Sequence, residues 1–422
     1  VEEGISGFSR RSYKERRDAL YGALRREGVF TWDVMYEQEY ALAGLHRLSP
    51  ELLAEMRGAA EKLGRLYART VETVQQGGEE LWRELGLPEA AFGAIRLRFD
   101  GEKATLIGRF DFAETPQGLK MLEFNSDTPT GIVEAFHVNG RVCAAYGAED
   151  PNAGCAAMLP KAFGRMLDLY RTAGYPAEHI FFSALDWHEE DAGTTKYLLA
   201  NSSLEGAQFV PLADLRVQGE RLWAEKPGEG EPVPVDILYR LHAIEKLAED
   251  RDTDGYPTGE HVLRLIAERK LAVINPPSGF AAQTKALQAL IWNLHEAGEF
   301  YTEEEHEAIS RYMLPTYLEP AFAEGSAYVS KPILGREGSG VTIYEKGAAA
   351  EASGDEEYGH QPMVYQQYAP LPEVEVETLA GPYRGSLLWG CFLIDGQGSA
   401  VVARVGGRIT GNLSYYLPCA LA

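Results

Sequence analysis

Two runs of alternating residues, GRFDF at 108–112 and MLEFNSDTPTG at 121–131, limit this chain more tightly than any other stretch. Side chains two apart in a strand share a face, so Arg109 lies with Asp111 and Glu123 with Asn125. The AETPQGLK between them carries the Pro and Gly of a hairpin loop. Folded back on itself, such a hairpin gathers one carboxylate from each strand and an amide oxygen. That set suits a hard cation such as Mg2+, which takes oxygen ligands and keeps positions open for nucleotide phosphates. Spacing alone leaves an equal alternative, a half-exposed hairpin whose charged face meets water.

Further along, AYVSKPILGREGSGVTIYEK at 327–346 reads as strand, glycine-rich turn, strand, with Lys331 at the end of the first strand. Glycines let backbone amides approach phosphate oxygens, and a lysine just upstream adds positive charge. The stretch is no Walker loop, since GxxxxGK[ST] is absent and the turn joins two strands. Lys285 lies in NPPSGFAAQTKALQALIW, where a Pro/Gly turn leads into a helical apolar pattern. Either lysine taken alone reads as solvated surface. Together with a glycine flap and distant acidic ligands they describe an ATP-grasp site.

RFDF, LEFNSDTPT, NPPSGFAAQTKAL, SKPILGREGSGV, VYQQYAPLP and RITGNLSYYLP occur in that order from about residue 95 to the end. In combination they resemble the glutathionylspermidine synthase family of ATP-grasp amide ligases. With the metal-ligand hairpin ahead of the ATP lysines, the order is similar to that family's circularly permuted grasp. The resemblance implies an α+β, ATP-grasp-like fold of the glutathione synthetase ATP-binding type, with a helical N-terminal region and a mixed α/β middle lobe. It implies ATP and Mg2+ as cofactors, with the metal on Asp111, Glu123 and Asn125. Arg109 would stabilise the transferring phosphoryl group, because a guanidinium can hold two oxygens at once. Lys285 and Lys331 would hold ATP phosphates under a flap containing Glu337 and Gly338. Tyr365 to Ala369, through Gln366, Gln367 and Tyr368, matches the hinge whose backbone reads adenine. Arg404 would face the reaction centre, and Ile409, Thr410 and Gly411 would close the nucleotide site.

For the acyl substrate the resemblance implies Thr128 and Thr130, whose hydroxyls equally suit turn or helix capping before GIVEAF. Glu189 and Glu190, in WHEED, match a carboxylate pair near the family's peptide and amine substrates, although a run of this kind also reads as a solvated loop. Arg240 could contact a substrate carboxylate or pair with Glu245. The implied chemistry is activation of a carboxylate as an acyl phosphate, then attack by an amine, with charge on the equatorial oxygens neutralised by Mg2+, the lysines and Arg109. Bifunctional members add an N-terminal amidase with a catalytic Cys and His. No such Cys stands near this start, so the expectation is a stand-alone ligase, whose acid and amine need not be glutathione and spermidine.

The chain has 422 residues, 45% of them hydrophobic, enough for a large core and two or three joined lobes. We expect a helical region at 1–94, a hairpin and substrate lobe at 95–270 and a nucleotide-binding lobe at 271–422. Apolar residues recur every three or four positions in YKERRDALYGALRREG, PELLAEMRGAAEKLGRLYARTVETVQQ and EELWRELG, so these are helices. HIFFSAL and VDILYRL read as strands and GEHVLRLIAERK as a helix. The acidic tract at 345–360 reads as a flexible loop, and 224–235 as another turn.

A formal net charge of −23 argues against nucleic acid as the main partner and is compatible with a cationic amine. Four scattered cysteines form neither a disulfide framework nor a CxxC, so small buried side chains are their expected role. With no signal peptide and no apolar run of about 18 residues, no membrane association is expected and the cytoplasm is the expected compartment. The first residue is Val, not Met, which leaves room for residues upstream. Two other classes stay open, a non-catalytic nucleotide-binding sensor or assembly partner, and a phosphotransferase that stops at a phosphorylated product.

Overall fold

A computed structural model describes residues 8–422 apart from 100, 102, 226–229 and 355–357. Its central element is the hairpin formed by Ile107–Thr115 and Gly118–Asn125. Arg109 stands opposite Asn125 and Asp111 opposite Glu123, with a bulge between Asp111 and Phe112. A bulge of this kind bends a strand and re-aims its side chains. The alternation sorts the residues by chemistry. While the charged side chains share one face, Phe110 and Phe124 stack on the other at 3.8 Å between centroids, and Tyr67 meets both edge-on. Complete burial of each phenyl ring contributes about 1.5–3 kcal/mol.

Tyr67 belongs to the helix Pro50–Gln76, which starts where Ser49 accepts a hydrogen bond from the Leu52 amide and proline occupies the first turn. A Cβ at Gly64 would lie 2.6 Å from Leu393 Cδ2, so the missing side chain lets this helix settle onto the sheet. That six-stranded sheet runs Tyr415–Leu417, Gln397–Gly406, Gly381–Ile394, Ile107–Thr115, Gly118–Asn125, with Glu373–Thr378 pairing the early part of Gly381–Ile394.

Two further sheets flank it. Ala272–Ile274, Ile237–Arg240, Ile180–Ala184 and Gln208–Pro211 form a parallel four-stranded sheet in that order. Thr316–Tyr317, Met363–Gln367, Tyr328–Pro332, Thr342–Glu345 and Ala348–Ala352 form an antiparallel sheet of five. Cys419–Leu421 pairs in parallel with His46–Leu48, joining the last strand to the N-terminal region. Buried side chains of the long helix, the hairpin, both flanking sheets and Trp389 belong to one core cluster. Among the described residues, no helix is long and apolar enough to cross a membrane.

Three local expectations are corrected. The Pro277 region is a helix, Pro277–Gln283, not a turn; it ends at Thr284, and a second helix begins at Lys285. Proline is well placed there because the first helical turn has no partner for its missing N–H. The tract at 345–360 contains a paired strand, Ala348–Ala352, turned by Gly347 at φ +79°; its 355–357 lie outside the described residues. Within 224–235 the ends are strand, Val233–Pro234 pairing back onto Trp223 and Ala224, and 226–229 lie outside the described residues.

Candidate active site

Asp111 is buried, and its carboxylate is gripped by Arg109, with Nε to Oδ1 at 2.6 Å and Nη2 to Oδ2 at 2.9 Å. Arg109 Nη1 donates to the Thr130 carbonyl at 2.7 Å. Of the five N–H donors on a guanidinium, two make no hydrogen bond among the described residues. Gly390, opposite Asp111 on the next strand, makes room: a Cβ there would lie 2.8 Å from Arg109 Cδ. The Asn125 amide nitrogen spans Asp111 Oδ2 and Glu123 Oε1, each at 3.3 Å. These long contacts place a weak positive dipole between two carboxylates, where a cation would gain far more. Turned over, the amide presents an oxygen, so the donor set fits a hard cation that completes its shell with water and phosphate. No cluster of three His, Cys, Asp or Glu suited to a metal occurs among the described residues.

Burial and the neighbouring Glu123 hold the Asp111 carboxyl above its usual range, against the pull of Arg109. Glu123 goes the other way. Although burial opposes its charge, Lys285, Lys331 and Arg109 together bring it down to about 2. Lys285 opens its helix, with Nζ 3.3 Å from Glu123 Oε2 and donating to the Gly335 carbonyl at 2.7 Å. Lys331 Nζ donates to Gln366 Oε1 at 2.8 Å, and burial with Lys285 nearby lowers it to about 8.

Two cavities meet here. The first is lined by Lys285, Lys331, Gly338, Gln366, Gln367, Tyr368, Ala369, Ile409 and Thr410. The second is lined by Arg109, Asn125, Thr128, Thr130, Glu190, Glu337 and Arg404. Asp111 and Glu123 line both, standing on the wall between them. Gln366 turns inward to Lys331. The Gln367 and Tyr368 amides are engaged by the Pro315 and Ala327 carbonyls. The Ala369 amide has no backbone acceptor among the described residues, and Ala369 lines the first cavity. Arg404 donates to the Gly411 carbonyl at 2.7 Å; Gly411 itself lines neither cavity. Glu189 is exposed and faces Thr31, so of the acidic pair only Glu190 enters the second chamber.

Other residues were hidden from sequence reasoning. Arg336, inside the quoted GREGSG, reaches across from the flap to Thr128 Oγ1 and to Glu245 Oε1, both at 2.8 Å. An arginine between glycines was the available signal. Arg240 therefore does not pair with Glu245; it holds Asp127 with two hydrogen bonds, Nη2 to Oδ1 at 2.5 Å and Nη1 to Oδ2 at 3.1 Å, fixing the loop after the hairpin. Arg408 lies over Tyr368 and bonds its hydroxyl, while ion-pairing with Glu345 and Glu351, and Asn412 bonds Glu337, so the 406–413 loop touches both the hinge and the flap.

A protein of Haemophilus influenzae with the provisional name acid–amine ligase is 27% identical over 335 residues, covering 77% of this chain and 76% of that one. Trypanothione synthetase of Crithidia fasciculata is 23% identical over 313 residues, which cover 69% of this chain and 45% of that longer protein. Among solved structures, a glutathione synthetase-like effector of Globodera pallida in its apo form superposes with a TM-score of 0.60 at 13% identity, over 97% of each chain. That likeness is one of fold. Residues 11–422 match the glutathionylspermidine synthase preATP-grasp family, and the chain belongs to it.

Proposed function

We propose that this chain is an ATP-dependent acid–amine ligase that joins a small-molecule carboxylate to an amine through an acyl phosphate. The observation that carries the reading is that Asp111 and Glu123 line both cavities, so a cation held by them would stand within reach of groups bound on either side. Asp111, Glu123 and Asn125 would hold Mg2+, which when bound neutralises phosphate charge. Lys285 and Lys331 hold phosphates from the nucleotide side. Arg109, with its two free donors, and Arg404 meet the equatorial oxygens from the other. Such positioning and charge stabilisation supply most of the catalysis in phosphoryl transfer. Thr128 and Thr130 line the place where the acid would bind, and Arg336 closes the flap over it.

The division at residues 94 and 270 belongs to the same reading, with the central sheet crossing the second boundary. So does a cytoplasmic setting, which the four unpaired buried cysteines support, since a reducing compartment keeps thiols free.

The test is Mg-ATP-dependent phosphate release against a panel of acid and amine pairs, beginning with glutathione plus spermidine, with mass spectrometry of products. A new amide formed together with ADP, and lost in Asp111→Ala, is the expected result. A phosphorylated product without amide would make the chain a phosphotransferase, and nucleotide binding without turnover on any pair would point to a sensor.

A further inference from the structure

Behind the second chamber, joined to its lining residue Tyr40, is a carboxylate that the reaction described so far does not use. Glu134 is fully buried at the start of a π-helical turn, Glu134–Val138, an irregularity frequent at functional sites. Its Oε1 accepts from Trp32 Nε1 at 2.9 Å and from the Tyr40 hydroxyl at 3.0 Å. Its Oε2 is buried without a hydrogen-bond partner among the described residues. A bare carboxylate oxygen out of water costs several kcal/mol unless it holds a proton or meets a cation.

Trp32 shows what lies alongside. Its ring packs where a Cβ on Gly193 would stand, at 2.1 Å, so the helix Glu189–Asn201 rests directly on the tryptophan that holds Glu134. Glu190 is in the first turn of that helix and lines the chamber with Tyr40. Sequence separation hides the neighbourhood, since Glu134 and Glu190 come from opposite sides of the strand Ile180–Ala184, and Tyr40, bonded to Glu134, is what joins them by lining the chamber beside Glu190.

We infer that Glu134 and Glu190 act as a carboxylate pair that takes the proton from the amine substrate's ammonium group, making it a nucleophile. The inference rests on the ligase reading and deepens it. An alkylammonium has no lone pair and cannot attack. One N–H bond breaks, its proton passes to Glu190, and the nitrogen keeps the electron pair. That pair then forms the C–N bond to the acyl carbon, the C–O bond to phosphate breaks, and the second nitrogen proton leaves on phosphate as HPO4(2−). Atoms and charge balance with one proton left on the pair, to be shed to water after release.

The surroundings favour this role. Burial, followed by the charge of Glu134, raises Glu190 to about 8, and burial also raises Glu134. Asp191 adds to the push, while His188 and the Thr130 hydroxyl oppose it. Tyr36 and Tyr40 face Glu190 from the N-terminal region, with Tyr40 also close to Arg404; Arg109 bears on Glu134, and Glu337 faces Tyr36 from the flap. Two coupled carboxylates titrate as a unit, the second ionisation being the high one. A base poised near neutral pH is the effective one.

The free protein, labelled with 13C at glutamate carboxyl carbons, gives the first test. The Glu190 signal, identified by its loss in Glu190→Gln, is expected to titrate near 8 and to move at least about one unit lower in Glu134→Gln, as removal of one neighbouring charge requires. A midpoint in the ordinary carboxylate range, or one unmoved by Glu134→Gln, overturns the inference. The second test uses the acid and amine that the panel identifies. The kcat/KM for the amine should rise with pH through the same midpoint, with the inflection shifted to the acid side in Glu134→Gln. Should that variant not fold, Glu190→Asp must keep an inflection and Glu190→Gln must lose it; an inflection retained in Glu190→Gln also overturns the inference. The two readings fail differently. No amide from any pair removes the ligase, and the proton role with it, whatever the titration; amide formed with an unmoved inflection removes the pair alone.

Discussion

The hairpin carrying Arg109, Asp111, Glu123 and Asn125 and the two loops above it, 333–341 and 406–413, face one another across the same space and obey opposite rules. On the hairpin, Arg109 and Asp111 are buried, each bonded to a neighbour, and the register is enforced by paired strands on both sides. In the loops, Glu337 sits exposed at φ 55° between turns made by glycine, and Arg408 is an exposed cation held by surface partners. Ile333 and Leu334 anchor the first loop in the core, while its exposed tip around Glu337 and the exposed Arg408 have fewer buried contacts and open at lower cost. The difference teaches that charge placement and access are separated here. On the function proposed above, the floor would fix where a phosphoryl group is stabilised, and the roof would decide what is admitted.

The comparison breaks first if the floor is dispensable. Asp111→Ala should cut ligase turnover on the order of 1,000-fold, the scale of losing a principal electrostatic stabiliser; steady-state kinetics with the panel's best pair would show it, and a fall under tenfold would move the chemistry elsewhere. Removal of divalent metal with EDTA should abolish the same activity, with recovery on adding Mg2+. Gly390→Ala should come next. Its new methyl meets Arg109 Cδ at 2.8 Å, displacing the guanidinium; about 100-fold in kcat is the usual consequence of ångström-scale misplacement, alongside about 1–3 kcal/mol of overpacking in thermal unfolding. Unchanged kcat would show that the floor tolerates movement.

A pH series sharpens the contrast further. Lys331 is held near 8, against 10.5 when unperturbed. Its charge is therefore complete below about 8 and lost above it, so the KM for ATP should climb over that range in the wild type and stay flat in Lys331→Arg. The stability trend has the opposite sign. Because the unfolded chain binds this proton more tightly, the contribution of Lys331 to folding grows as pH passes from about 8 to 10.5. The smallest effect belongs to the roof. Arg408→Ala removes exposed ion pairs worth about 0.2–1 kcal/mol and should change the KM for ATP by only about two- to fivefold; a loss comparable to that of Asp111→Ala would make the roof part of the chemistry.

Local signals account for what sequence reasoning captured. The helix Pro50–Gln76 begins and ends where Ser49, Pro50 and Gly77 say it should, and the hairpin follows from alternation plus a Pro/Gly turn. Ala348–Ala352 was missed because its alanines and glutamate lack strand propensity and it gains order by pairing with Thr342–Glu345. Asp127 with Arg240 is a partnership across 113 residues, and Tyr40 with Glu134 one across 94. No spacing rule reports such contacts, which exist only once separate sheets have met. The YQQYA segment shows a finer limit: the motif resemblance singles it out but could not reveal that two of its amides are already bonded to the Pro315 and Ala327 carbonyls.

The stacked Phe110 and Phe124 beneath the charged face have an electrical consequence. Hydrocarbon polarises little, and buried Phe110 and Phe124 form a low-dielectric layer on that side of Asp111 and Glu123. Field lines from a cation bound above spread poorly downward and crowd toward the open cavities. The aromatic layer is thus an insulating backing, which on the proposed function would direct a bound cation's pull onto the phosphoryl oxygens.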